Sequence, residues 1–174
     1  MVLLRGINIG AHNRVAMPAL REALARAGFD EVATHLQSGN IVLSSQTEPE
    51  AVADACSRLI ADTFGLTVPA VARTHAELEA VVYGDPLGVE AIDPRLYQVT
   101  FCRQEPDSGL LDRLDAAVEA PERLYADGRE LYAWHPSGIA RSRLAATMAR
   151  LTAPIGGTAR NWKTVTALLD LASR

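Results

Sequence analysis

Three polar segments of this chain carry residue types able to grip a negatively charged group. The first, Arg5-Gly6-Ile7-Asn8-Ile9-Gly10-Ala11-His12-Asn13-Arg14, offers two arginines that could fork onto phosphate or carboxylate. Asn8 and Asn13 would orient such a group, and the glycines would let backbone amides approach it. In the second, Gln37-Ser38-Gly39-Asn40, the side chains of Gln37 and Asn40 could add amide hydrogen bonds. The third, Thr158 to Thr164, sets Arg160 and Lys163 around Asn161 at the expected start of a helix. A helix dipole favours acids at that end, so cations gathered there invite an anionic partner. Ser137 to Leu144 is a further candidate, with Arg141 and Arg143 beside prospective backbone donors. Each segment also has a plainer account. Asparagines in turns bond their own backbone, Ser38-Gly39-Asn40 makes a hairpin turn, and Asn161 or Ser137 caps a helix. The first segment is neither a Walker loop nor a dinucleotide fingerprint, because the required lysine and glycine spacing are missing.

Charge is distributed in a way that favours the anion reading. Met1–Arg21 and Leu131–Leu169 contain no acid, whereas Glu22–Glu130 holds 20 of the 21 acids and 8 of the 17 bases. A local positive site on a body of net charge −4 suits a small anionic ligand, such as a phosphorylated metabolite or nucleotide. The same net charge argues against a general nucleic-acid binder, which needs a broad basic surface. Two other readings stand beside it. One is hydrolysis or transfer of a phosphate or acyl group by charge stabilisation, without a covalent intermediate. The other is a nucleic-acid or protein interaction module built on Tyr97, Phe101, Tyr125, Tyr132 and Trp134; packing of those rings between two halves of the chain competes with it. The sequence leaves open whether the protein is an enzyme. His12, His35, His75 and His135 show neither metal-ligand spacing nor an adjacent acid motif, and no nucleophile with a partnered base is visible. No metal and no cofactor is therefore expected.

Cys56 and Cys102 fall in apolar patterns without C-x-x-C spacing, as buried reduced thiols of a cytosolic protein would. The apolar run before Arg5 is too short for a signal peptide and no stretch approaches a membrane span, so a cytoplasmic location with no membrane partner is expected. Nothing in the sequence indicates an oligomeric state.

The elements that must position these residues are legible from periodicity. A strand over Val2–Ile9 is followed by a helix on Met17, Leu20 and Leu24 that Gly28 closes. Val32–Gln37 and Ile41–Ser45 form a hairpin. Thr47 with Glu50 predicts a capping box opening a helix on Val52, Cys56, Leu59, Ile60 and Thr63, and Val68–Ala72 gives a fourth strand. Thr74 with Glu77 repeats the box before a short helix. After a Gly- and Pro-rich stretch the order starts again: strand Leu96–Arg103, helix Asp107–Val118, strands Arg123–Ala126 and Glu130–His135, helix Arg141–Leu151, strand Ile155–Thr158 and helix Asn161–Ala172. The fold class is thus α+β, with two ferredoxin-like (β-α-β-β-α-β) portions in tandem and a C-terminal helix. Residues 1–83 make the first half, 84–94 a linker and 95–174 the second half.

The strings LLRGINIGAHNRVAM-PAL, THLQSGNIVLSS, GIARSRL and TARNWKTVTALLDLA, in that order, together resemble one bacterial family, the domain-of-unknown-function family sixteen ninety-seven. The resemblance implies an α+β fold of two ferredoxin-like portions and brings no function with it. Ala11-His12 departs from the family's more usual Gly-Gly or Gly-Lys pair.

Overall fold

Strand β1 (Val2–Leu4) stops five residues short of the expected Ile9, because Gly6 (φ 71°) and Asn8 (φ 54°) turn the backbone into the left-handed region. This is a computed structural model, and it describes residues 1–10, 13–88 and 93–174. His12 and part of the expected linker lie outside them. The first element set continues with α1 (Met17–Arg26), β2 (Asp30–His35), β3 (Asn40–Ser44), α2 (Pro49–Phe64), β4 (Ala70–Ala72) and α3 (His75–Tyr83). Its strands form an antiparallel sheet in the order β2-β3-β1-β4.

Strands β1 and β4 are buried at every position, and the residues of one face build a core with the helices. Val2, Leu4, Ile41, Ala70 and Ala72 share one core with Met17, Leu20 and Leu24 of α1 and with Val52, Ala53, Cys56 and Ile60 of α2. Each fully buried leucine or isoleucine there contributes roughly 1.5–3 kcal/mol, which holds the helices on that face. Helix α2 departs from the expected capping. It begins at Pro49 with Glu48 at the cap position and no side-chain cap bond, and Thr63 is exposed. The proline at the first helical turn lacks an N–H, so one orphan donor is already removed. At α3 the Thr74–Glu77 box does form: the Thr74 amide donates to Glu77 Oε2 (2.7 Å), and the Glu77 amide donates to Thr74 Oγ1 (3.1 Å).

The second set repeats the topology with β5 (Tyr97–Phe101), α4 (Ser108–Asp115), β6 (Arg123–Asp127), β7 (Glu130–Trp134), α5 (Arg143–Leu151) and β8 (Thr158–Asn161), followed by α6 (Trp162–Ala172). Its antiparallel sheet has the order β6-β7-β5-β8. Cys102, Leu131 and Ala133 pack with Leu110, Leu114, Leu144 and Met148 of α4 and α5. Strand β8 falls later than the expected Ile155–Thr158. Ala153–Ile155 coils into a 3₁₀ turn closed by Gly156 at φ 73°, and Arg103 donates its amide to the Ile155 carbonyl (3.0 Å), so pairing starts only at Thr158.

Two four-stranded antiparallel sheets in tandem with a closing helix make the chain an α+β protein. Its compact units are Met1–Leu78 together with Leu168–Arg174, and Glu79–Ala167. The division falls inside α3 and again inside α6, whereas the sequence places its boundary at the Gly- and Pro-rich stretch beyond α3.

Candidate functional site

In the first unit the structure brings the N-terminal loop and the hairpin together through Asn8. Its Nδ2 donates to the carbonyls of Val15 (3.0 Å) and Gln37 (2.8 Å), and its Oδ1 accepts the Val15 amide (2.9 Å). Asn13 Nδ2 donates to the Gly6 carbonyl (3.0 Å), and Asn8 and Asn13 are also joined through their backbones. Asn40 is buried and donates to the His35 carbonyl and Ser38 Oγ, both at 2.9 Å. The amides singled out as ligand-orienting are thus occupied in closing turns. Arg5 is half-buried with its amide bonded to the Pro69 carbonyl, while Arg14 and the Gln37 side chain are exposed.

The C-terminal candidates belong to the second unit. Arg160 is not at the start of α6 but within β8, opposite Val99. Its buried guanidinium donates through Nη1 to Thr158 Oγ1 (2.9 Å) and the Ala159 carbonyl (2.8 Å), and burial pulls its pKa down to about 10. Asn161 caps α6 by accepting the Thr164 amide (2.9 Å). Lys163 is exposed.

A different constellation emerges in the second unit. Strand register pairs Arg123 with Trp134, and continuing it by one residue sets Glu122 against His135. There Glu122 Oε1 lies 2.8 Å from His135 Nδ1 and accepts the hydroxyl of Ser142 at 2.5 Å. Ser142 Oγ is also 2.9 Å from His135 Nδ1, and it accepts the Ala145 amide (2.9 Å) as the N-cap of α5. The side chain of His135 is fully buried and that of Glu122 is 10% exposed. Burial alone would raise the Glu122 carboxyl. Hydrogen bonds from His135, Ser142 and the Glu119 backbone outweigh that cost and hold it below the ordinary glutamate value. His135 Nε2 is buried with no partner among the described residues. Sequence reading takes His135 as solitary, and this triangle corrects that expectation.

Glu122 and Ser142 form part of the wall of a cleft of about 300 Å³ that Gly138, Arg141 and Arg143 also line. Arg143 forms an exposed ion pair with Glu119 at 3.7 Å, and Glu122 is turned inward onto His135 and Ser142. Arg141 has no side-chain partner among the described residues. No acid occupies the first turn of α5. Glu119 lines the same wall, so its two acids balance its two arginines; Arg141 and the helix N-terminus are the positive features with no ion-pair partner among the described residues. A wider cleft of about 520 Å³ lies in the first unit, at the end of its sheet where Ser44, Arg73, Thr74 and His75 meet. Size alone favours it, but Arg73, Thr74 and His75 on its wall are already engaged, while Glu31 and Arg174 also line it as one acid and one base. His75 Nε2 bonds Ser173 Oγ (2.9 Å), Thr74 bonds Glu77, and Arg73 bonds the Ala72 carbonyl (2.8 Å). The smaller cleft has the convergent chemistry.

The family model for a protein of unknown function, DUF1697, matches residues 1–132. The chain belongs to the DUF1697 family. No curated protein matches it. Among solved structures, this DUF1697 protein is similar to the conserved bacterial protein SP0830 from Streptococcus pneumoniae. The TM-score is 0.77 and the identity 19%, over 98% of this chain and 96% of that one. At that identity the likeness concerns the fold.

Among the described residues no helix is long and apolar enough to cross a membrane, and no group of three or more His, Cys, Asp or Glu is placed to hold a metal. Both cysteines are buried, and burial pushes the Cys56 thiol up to about 11, which keeps it protonated and unreactive. Of the five aromatic residues proposed for base stacking, Tyr97, Phe101 and Tyr132 are buried and Tyr125 is exposed. Tyr97 lies 4.9 Å from the ring of Trp162 and donates its hydroxyl to Asp85 (2.8 Å).

Proposed function

We propose that this cytoplasmic protein, on two ferredoxin-like frames, binds a small anionic molecule in the cleft at the N-terminus of α5. The ligand class is the one charge segregation suggests, a phosphorylated metabolite or nucleotide. The cations are drawn from Arg141 and Arg143, because Asn8, Asn13, Asn40 and Asn161 are spent on turns and a cap and Arg160 is buried in β8. The observation that carries the reading is the unpartnered guanidinium of Arg141 on a cleft wall that also presents the first turn of α5. A phosphate held there exchanges water for a fixed guanidinium and the N–H groups that precede the first helical bond.

Thermal unfolding with inorganic phosphate and a panel of phosphorylated metabolites tests it. A ligand at a hundred times its Kd stabilises by about 2.7 kcal/mol. That gain should vanish in Arg141→Ala and persist in Arg5→Ala. Persistence in Arg141→Ala with loss in Arg5→Ala would move the site to the N-terminal loop.

A further inference from the structure

We propose that Ser142 is a nucleophile that accepts the acyl group of a small carboxylic ester bearing a negative charge, with Glu122 taking its proton. The inference rests on the anion-binding reading for its substrate class and on a separate geometry for its chemistry. Nucleophilic serines need a base within hydrogen-bond reach and a third group that holds the base. Here the serine hydroxyl already donates to Glu122 Oε1. His135 Nδ1, 2.8 Å from the same oxygen, fixes the carboxylate from behind. Burial of His135 and Glu122 keeps water from the rear of the triangle, while Ser142 stands on the cleft wall.

With the Nδ1 proton of His135 directed to Glu122 rather than to Ser142 Oγ, which lies 2.9 Å from the same nitrogen, and with the Ala145 amide on one Oγ lone pair, the second lone pair of Ser142 is available for attack. As Oγ bonds to the ester carbon, its proton passes to Glu122 Oε1 and the carbonyl electron pair moves onto oxygen. Arg141 and the first turn of α5 are the positive groups on that wall, and they oppose the growing charge. Collapse of the tetrahedral adduct breaks the bond to the alcohol, which leaves with the proton from Glu122. Water then gives a proton to Glu122 and adds to the acyl carbon. The acyl–Oγ bond breaks, the free acid departs, and Ser142 recovers its proton. The cycle consumes one ester and one water and needs no redox partner.

Mono-4-nitrophenyl succinate is a suitable probe, read by nitrophenolate release and by mass spectrometry of the quenched protein. The expected result is a succinyl adduct on Ser142 with an initial burst of nitrophenolate. In Ser142→Asn, which keeps a competent helix cap, the adduct should be lost. In Glu122→Gln acylation should fall at least about 100-fold, the usual contribution of a positioned base. Circular dichroism checks that both variants are folded, and the Asn variant serves if the Gln variant is not. Absence of a Ser142 adduct in the wild type, or an unchanged rate in Glu122→Gln, overturns the proposal. If the adduct is absent while phosphate still stabilises through Arg141, nucleophilicity alone is refuted. If neutral 4-nitrophenyl butyrate acylates Ser142 as fast as the succinate ester and phosphate has no effect, the anionic substrate class falls with the binding reading.

Discussion

Replacing Asn8 by alanine should cost the first unit about 3–4 kcal/mol without touching ligand binding. The side chain makes three hydrogen bonds, two of them to the peptide groups of Val15, a residue only 4% exposed. Truncation leaves those peptide groups without partners, and each such loss is worth roughly 1 kcal/mol net. The contact to the Gln37 carbonyl is exposed and contributes less. Asn8 also sits at φ 54°, where asparagine is tolerated and alanine costs about 1 kcal/mol. Asn8→Gly removes the hydrogen bonds and spares that backbone strain, so it should cost about 1 kcal/mol less than alanine. Urea unfolding by circular dichroism gives the totals. Hydrogen exchange of peptides from Met1–Leu78 separates that unit from the other should they unfold in distinct steps. A cost under about 1 kcal/mol for Asn8→Ala, or glycine no milder than alanine, would refute the reasoning. So would a variant of full stability that no longer responds to phosphate.

Gly39→Ala should prevent stable folding of the first unit, because a Cβ there would lie 2.5 Å from Ile7 Cγ2 and 2.7 Å from Leu4 Cβ at a backbone φ of 73°. Soluble yield and exchange protection of β1 and β3 check this. Glu122, whose carboxyl is held below its ordinary value, contributes stability that is present above that value and lost as pH falls through the folded one, from about pH 4 downward. Denaturation midpoints of wild type and Glu122→Gln should therefore converge as the pH is lowered through that range, and a constant separation would contradict it.

Most of the architecture was readable because the central strands, buried at nearly every position, leave short apolar runs between turn residues, and the helices keep their apolar spacing. Where the reading slipped, side-chain chemistry redirected the backbone locally. Asparagine bonds ended β1 early, Pro49 replaced a threonine cap on α2, and a 3₁₀ turn ahead of Gly156 delayed β8. That shift is what moved Arg160 from a helix terminus into a strand. The Glu122–His135–Ser142 triangle left no motif, since its members are separated by 13 and 7 residues and meet only through the β6–β7 hairpin. The signal was present in the Asp127-Gly128 turn: counting outward from it in hairpin register leads to Glu122 opposite His135. Charge segregation found the basic ends of the chain, but composition says nothing about which cations a fold will bury.

The first unit is written in two places, Met1–Leu78 and Leu168–Arg174, with the whole second unit between them. As the chain leaves the ribosome, Met1–Leu78 is therefore complete well before the strip that finishes its unit, with Glu79–Ala167 made in between. The Ser173 hydroxyl that bonds His75 arrives only after that interval. The buried core cluster of that unit nevertheless draws on residues 2–72 alone, so the late strip adds contacts such as the one from Ser173 to His75 rather than the core itself.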